Sequence, residues 1–214
     1  MHDVLPYMAR GHFLILPISQ PAGDVVYVTD RGLGCVVCFT RQVATSSKGE
    51  VRYSFGAQAL IGQDLLHDPS GLAVIPGRGT ASVWTEEADG QRAPAFDELV
   101  VTDVSHHVLV CIALGEAGQT DAAASSRTIG RPGARPGCFH RPSGVAFARS
   151  FLVVAEQRRM QVLTRQGIPL QVITPSGCGS FHGVCLSRDG ERVLVTDPEV
   201  RGVHEFALTR FGAD

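Results

Sequence analysis

The feature that most constrains the fold is a short hydrophobic run closed by an acidic residue, which occurs four times in this 214-residue chain. Each copy is followed by a polar turn and then by a second hydrophobic run. The copies end at Asp30, Asp103, Glu156 and Asp197. A unit that recurs at roughly 40–50 residues is typical of a propeller, a solenoid or another array of equivalent units. The repeat therefore predicts the architecture and says much less about function.

The copies align well beyond the acid. Upstream, Pro69-Ser70-Gly71 matches Pro142-Ser143-Gly144, and the fourth copy has Phe181-His182-Gly183. Downstream, a turn leads to one more extended run in the first and third copies. Each unit is thus four short segments rich in β-branched residues and separated by Gly, Pro, Asp and Ser, which is typical of strands joined by turns. We predict an all-β fold built from four-stranded antiparallel sheets, since no segment shows sustained helical spacing of apolar residues.

This pattern resembles the NHL-repeat family of β-propellers, in which a blade begins with Pro-x-Gly and its second strand ends in an acid. The resemblance covers about residues 10–210. It implies a single propeller domain, 1–214, whose sheets pack face to face around an axis. The expected blades are 9–56, 57–130, 131–175 and 176–214.

Only about four blades are visible, whereas propellers of this family usually close with six. The chain therefore forms either a closed four-bladed ring or an incomplete, open one. The extra spacing between the first copies is expected to be loop, at residues 41–49, 77–97 and 115–126. The fourth blade lacks an outer strand, for which residues 2–7 are candidates. Self-association is expected if a sheet edge stays uncovered.

Composition favours a soluble protein. The chain is 44% hydrophobic and 19% charged, with a formal charge of −2. No apolar run approaches the roughly 20 residues of a membrane helix, and no signal peptide is visible. We expect a cytoplasmic protein with no membrane partner. The six cysteines are expected to be reduced core thiols, because Cys35 and Cys38 stand three apart in a strand-like run and so point to opposite faces.

Residues 127–165 hold eight arginines and a single acid, Glu156. Guanidinium groups suit carboxylates and phosphates because their donors form a fixed fork. Most NHL propellers bind proteins and some bind RNA, so the resemblance implies a non-catalytic interaction scaffold, with RNA binding as an alternative. Aromatic side chains for base stacking are scarce in this segment. Trp84, in the 77–97 insertion, is either an exposed anchor for a partner or a residue that holds the insertion onto a blade. The candidate partner-binding residues are Arg131, Arg135, Arg141, Arg158, Arg159 and Trp84.

A metal-dependent lyase or lactonase-like enzyme is the remaining alternative. Relatives of these propellers that cleave peptidyl-hydroxyglycines bind zinc on the axis, through histidines placed between the Pro and the Gly. His182 stands at that position, but the matching residues are Ser70 and Ser143. A zinc site needs at least three protein ligands, so His182 is a weak candidate, and we expect neither metal nor cofactor. The four acids are expected to accept N–H bonds within their own turns.

Overall fold

The computed structural model describes residues 15–17, 25–77, 97–114, 126–148, 150–187 and 189–208. These residues form fifteen strands and no helix, so the all-β prediction is confirmed. The strands are β1 (Ile15–Pro17), β2 (Val25–Asp30), β3 (Cys35–Thr45), β4 (Val51–Ile61), β5 (Pro69–Ile75), β6 (Glu98–Asp103), β7 (Val108–Ala113), β8 (Ser126–Ile129), β9 (Gly144–Ala148), β10 (Phe151–Glu156), β11 (Arg159–Thr164), β12 (Pro169–Ile173), β13 (Val184–Leu186), β14 (Arg192–Asp197) and β15 (Gly202–Ala207).

Within each sheet the spatial order of the strands follows the chain, as expected for propeller blades. The sheets are β1 to β4, β5 to β8, β9 to β12, and the three-stranded β13 to β15. The first strands of consecutive blades are neighbours, since β5 lies beside β9 and β9 lies beside β13. These strands therefore face the axis. The arrangement is that of a four-bladed open propeller.

The core is divided among the interfaces between consecutive sheets. One buried cluster joins blades one and two and contains Val36, Leu72 and Ile112. A second joins blades two and three around Phe139, and a third joins blades three and four around Phe181. Among the described residues, no buried cluster joins blade four to blade one. The stability of the fold therefore rests on three face-to-face interfaces.

One face of blade four is left uncovered by the described residues. Six residues after the acid, Val36 and Leu109 are fully buried, and Met160, which pairs in the same register, is buried as well. The matching Val203 is 63% exposed. The same face carries Glu205 where blades one and two carry buried cysteines, and Glu205 pairs with Arg192 at 3.2 Å. The uncovered face is thus part apolar and part charged.

The long hairpin of blade one differs from the prediction. Residues 41–49 were expected to be loop, but β3 continues to Thr45 and β4 begins at Val51. The hairpin is exposed, so its strands lack the alternating burial that would mark them in sequence. It also carries the first sheet to Ile61, past the expected blade boundary at residue 56. Trp84 and residues 2–7 lie outside the described residues.

Two further expectations concern cysteines and membranes. All six cysteines are free, and four of them, including Cys35 and Cys38, are buried. The prediction of core thiols is confirmed for these four and is wrong for Cys178, which is half-buried, and for Cys185, which is exposed. Among the described segments there is no helix that is long and apolar enough to cross a bilayer.

Close approach of neighbouring blades explains the glycine of the Pro-x-Gly entry. A Cβ added at Gly71 would lie 2.7 Å from Cα of Gly144, and one added at Gly144 would lie 2.0 Å from the carbonyl oxygen of His182. At Gly183, which has no following blade among the described residues, the nearest atom is Thr196 Oγ1 at 3.2 Å. Glycine is therefore required where a blade is followed by another.

We expect Gly144→Ala to lower the free energy of unfolding by about 2 kcal/mol or more, because backbone atoms of two blades must separate. Gly183→Ala is the matched control and should cost less than about 1 kcal/mol. Urea denaturation of both variants measures the difference. Equal losses would contradict the assigned packing of the entry segments.

Candidate functional site

The four repeated acids organise one end of the blades, which we call the acid end. Asp30 Oδ1 accepts the N–H groups of Gly32 and Leu33 at 2.8 and 3.0 Å. Asp103 and Asp197 accept N–H groups two or three residues further on in the same way. The prediction that the acids serve their own turns is confirmed for these three. At Glu156 the donors from the turn and the following strand are instead the side chains of Arg159 and Gln161.

The second carboxylate oxygen binds the loop that enters the blade. Asp103 Oδ2 accepts the N–H of His67 at 2.8 Å, and Glu156 Oε2 accepts that of His140 at 2.7 Å. In blade four, Asp197 Oδ2 accepts the N–H of Gly179 at 2.7 Å. Each of these acids thus fixes the entering loop against the turn between the second and third strands. As a result, the loops and the turns meet at the acid end.

These hydrogen bonds keep the carboxylates of Asp103 and Asp197 ionised. Burial alone would raise the pKa of Asp103, but the N–H groups of His67 and His106 and the hydroxyl of Ser105 hold it below its usual value. The pKa of Asp197 is lowered by N–H donors in the same way, against the effect of burial. Such groups lose their stabilising effect only when the pH falls through the lowered pKa. Both turns therefore stay fixed at neutral pH.

In blades one and two, the threonine directly before the acid links the blade to the next one. Thr29 Oγ1 donates to the carbonyl of Ser70 at 2.8 Å, and Thr102 Oγ1 donates to that of Ser143 at 3.3 Å. Blade three has Ala155 at this position and cannot make the bond. There Ser143 Oγ donates to the carbonyl of Phe181 at 2.6 Å instead. The axial segments of the blades are thus joined by hydrogen bonds as well as by packing.

The residues between the Pro and the Gly come together in an open cavity of about 210 Å³, which we call the axial cavity. Ser70, Ser143 and His182 all line it, so the repeat register places them correctly. The lining also includes the residue that directly follows the acid in each of the first three blades. The position directly after the acid thus marks residues that line the cavity, which was not predicted from the sequence. The lining residues are Arg31, Ser70, Val104, Arg141, Ser143, Gln157, Ser180 and His182.

Among the described residues, those that line the axial cavity include two arginines and a histidine and no carboxylate. Arg31 forms an ion pair with Asp68, which is not among the lining residues. Arg141 is exposed, and its backbone at φ 52° is fixed by an N–H bond of 2.8 Å to Nδ1 of His107. Arg158 is exposed in the turn next to the lining residue Gln157. Among the described lining residues the charged side chains are thus two arginines, one of which is already paired with Asp68.

Four histidines lie on the entering loops and turns of the acid end, and none of the four is among the residues that line the axial cavity. The rings of His67 and His106 lie 4.1 Å apart, and those of His107 and His140 are stacked at 5.4 Å. Burial, and then the charges of His140, Arg141 and His106, lower the pKa of His107. These histidines were not predicted to lie close together, because the loops and turns that carry them belong to different repeats. Protonation of this group adds positive charge at the acid end.

The predicted arginines divide into exposed and internal ones. Arg131, Arg135, Arg141 and Arg158 are exposed. Arg159 Nε binds Oε1 of the fully buried Glu156 at 3.1 Å, and its Nη2 binds the carbonyl of Cys138 at 2.8 Å. These bonds fasten the loop entering blade three. Arg159 is therefore placed to hold this loop rather than to meet a partner.

We expect Arg159→Ala to lower the free energy of unfolding by about 3 kcal/mol, because it leaves the buried Glu156 without its cation. Arg158→Asn removes the adjacent exposed charge and should change stability by less than about 0.5 kcal/mol. Asparagine is chosen because Arg158 has φ 69°, a conformation that asparagine tolerates. Thermal unfolding followed by circular dichroism compares the two variants. A loss at Arg158 as large as that at Arg159 would contradict this division.

No protein-family model matches the chain, and no curated protein matches its sequence. The NHL resemblance therefore stays an expectation. Solved structures do match the fold. A putative 6-phosphogluconolactonase from Bacteroides fragilis is 9% identical with a TM-score of 0.55, and the match covers 96% of this chain and 53% of that one. Another from Bacteroides uniformis is 13% identical with a TM-score of 0.53, covering 93% of this chain and 54% of that one.

A hydrazine synthase from Kuenenia stuttgartiensis is 13% identical with a TM-score of 0.49, covering 88% of this chain and 47% of that one. This chain thus spans about half the length of each of the three structures. At such low identity, a likeness shows the fold alone. The two lactonase-like structures support the conclusion reached from the sheets, that this chain has a β-propeller fold.

Proposed function

We propose that this chain is a non-catalytic, NHL-like β-propeller that recognises an acidic segment of a partner protein at the axial cavity. The observation that carries the proposal is the lining of this cavity, which within the described part of the chain holds Arg31, Arg141 and His182 and no acid. Arginine binds carboxylates through two parallel N–H donors, and histidine adds a donor that strengthens with protonation. A carboxylate is therefore the side chain that this cavity suits best.

The size of the cavity favours a side chain over a larger ligand. Its volume of about 210 Å³ lies below the range of roughly 300–1,000 Å³ that is usual for small-molecule pockets. The cavity also opens to solvent beside the turn of Arg158 and the loop of Arg141. We infer that one acidic side chain enters the cavity while its neighbours contact the rim.

RNA binding is less favoured by the same residues. Proteins that bind single strands usually stack bases on aromatic rings, whereas His182 is the single aromatic ring among the lining residues. Arg159, one of the arginines on which the RNA alternative rests, is engaged inside blade three. A negatively charged peptide needs no stacking surface.

A lactonase-like hydrolase is a second candidate, supported by the likeness to the two Bacteroides structures and by cations that suit a phosphoryl group. Catalysis would need a polarised nucleophile or water. The hydroxyl of Ser143 already donates to the carbonyl of Phe181, so it is not paired with a base. Release of acid from 6-phosphogluconolactone, at a rate abolished by His182→Gln, would establish this candidate and overturn the scaffold proposal.

The proposal predicts charge-specific binding. A fluorescent Glu-rich peptide should bind the full chain, measured by anisotropy, and the matched Gln-rich peptide should not. Arg141→Asn should weaken binding by roughly 5–20-fold, the loss of one charge-assisted contact of about 1–2 kcal/mol. Arg52→Asn is the control, because Arg52 is an exposed arginine on the outer hairpin, and it should change affinity less than about twofold.

Three outcomes would contradict this proposal. One is equal binding of the Glu-rich and Gln-rich peptides. Another is equal loss in both arginine variants, since that would indicate attraction by total charge alone. The third is tighter binding of a single-stranded RNA of equal charge, which would favour the RNA alternative.

Binding should also depend on pH. Glutamate stays ionised above about pH 5, whereas histidines near the cavity gain charge as the pH falls from 8 to 6. Bound carboxylates favour protonated histidine, so affinity should rise over this interval. The pKa of His107 is lowered, so a lower pH is needed to protonate this ring than an ordinary histidine requires. The same anisotropy titration at several pH values measures this effect, and a flat profile would exclude a histidine contribution.

A further inference from the structure

We propose that Cys178, Asp197 and His204 form a binding site for a divalent transition metal, with Zn²⁺ as the best match. His204 Nε2 lies 3.9 Å from Cys178 Sγ and 3.5 Å from Asp197 Oδ2. The three ligand atoms all lie within 4.8 Å of one another. This site is separate from the acidic-segment proposal, since none of the three residues lines the axial cavity.

The distances fit a tetrahedral ion. Zinc binds sulfur at about 2.3 Å and nitrogen or oxygen at about 2.0–2.2 Å, which places neighbouring tetrahedral ligands about 3.4–3.6 Å apart. The two separations from His204 Nε2 exceed these values by at most a few tenths of an ångström, and Cys178 Sγ lies within 4.8 Å of the carboxylate. Both the thiol and the carboxylate face the same nitrogen of His204. This excludes a catalytic relay, in which the base uses its two ring nitrogens for different partners.

The repeat makes the placement of Cys178 unusual. The residue that follows it donates its N–H to the blade acid, as His67 does in blade two and His140 does in blade three. The residues before those two histidines are Leu66 and Phe139, both buried and apolar. Blade four thus carries a half-buried thiol where two other blades carry large core side chains.

His204 departs from the repeat as well. It pairs with Val195, whereas the matching residues of β3 and β7 are Val37 and Val110, which are buried. In blade three the position is Gln161, which donates to Glu156 Oε1 at 2.5 Å. The acids of blades one and two have only a buried valine at this position, so they need no polar side chain there. Structural need alone does not call for an imidazole here, and still less for an imidazole beside a thiol.

The surroundings leave ligand capacity at the site. Asp197 is fully buried, its Oδ2 accepts the N–H of Gly179, and the same oxygen faces His204 Nε2 at 3.5 Å. Its Oδ1 is held by the N–H groups of Ser180 and Glu199, which orient the carboxylate as outer-sphere partners of metal ligands do. The side chain of His204 is 30% exposed, so an ion and a fourth water ligand can enter.

A second group, His67, Asp103 and His106, offers only nitrogen and oxygen. Its imidazole side chains are 61% and 51% exposed, compared with 30% for His204, so they are less well fixed for an ion. It is the weaker site and serves as the internal competitor in the test.

The test is a titration of the full chain, reduced and freed of metal, with Co²⁺ and then with Zn²⁺. A thiolate ligand gives cobalt an intense near-ultraviolet charge-transfer band, which imidazole and carboxylate ligands do not give. We expect this band to saturate at one Co²⁺ per chain and to disappear when Zn²⁺ is added. We also expect Zn²⁺ to raise the melting temperature, because an ion bound by the folded state stabilises it.

Matched variants locate the site. Cys178→Ser and His204→Gln should each weaken cobalt binding at least tenfold, and Cys178→Ser should abolish the band. Gln is chosen because Gln161 fills the same position in blade three and satisfies the acid there. Cys185→Ser removes an exposed thiol of the same blade and should leave the titration unchanged.

The proposal is overturned if the band is absent, if it survives in Cys178→Ser, or if it is lost in Cys185→Ser. It is also overturned if metal binds without the band and is lost in His67→Gln, since the competitor is then the site. A cooperative thermal transition confirms that each variant is folded. If Cys178→Ser does not fold, His204→Gln decides, and unchanged binding in that variant overturns the proposal.

Discussion

The whole arrangement depends on one interaction, the blade acid that binds its own turn with one oxygen and the entering loop with the other. Asp103 and Asp197 do this with backbone N–H donors, to which Ser105 adds its hydroxyl at Asp103, and both acids are almost completely buried. A buried carboxylate without partners would be strongly destabilising, so the acid forces the loop and the turn to meet. Everything at the acid end follows from that. The axial cavity, its arginines and its histidines all lie on segments that these carboxylates bring together.

The repeat therefore carries much of the fold in its sequence, and it does so for physical reasons. The fold has two local requirements, a strand that ends in a buried acid and a glycine at the entry to the blade. Both recur along the sequence. What the repeat does not carry is which residues meet across blades. Ser70, Ser143 and His182 could be aligned, but the contribution of Arg31 depends on how the turns converge. Similarly, Arg158 and Arg159 are adjacent in sequence. Their roles differ because Arg159 binds the buried Glu156, whereas Arg158 is exposed.

Departures from the repeat are the more informative positions for function. Where Ala155 replaces threonine, Ser143 supplies the lost bond to the next blade, so that departure is compensated within the fold. Where Gln161 replaces valine, it satisfies Glu156 and the carbonyl of Cys138, so it too has a structural partner. Cys178 and His204 replace apolar residues together, and their contacts exceed what Asp197 requires. This contrast is why the metal proposal rests on blade four.

Blade four also shows how the residues at repeat positions differ when the described residues include no following blade to cover them. Thr196 is exposed, whereas the matching Thr29 and Thr102 are buried, although it accepts the N–H of Gly183 just as Thr102 accepts that of Gly71. Val203 stays apolar and exposed, as if the position still belonged to an interface, whereas Glu205 introduces a charge where Cys38 and Cys111 are buried. A charged residue on a packing face opposes burial against another apolar sheet, since its desolvation needs a partner. Arg192 supplies that partner from the same sheet, so this face is compatible with water at Glu205 and with contact at Val203.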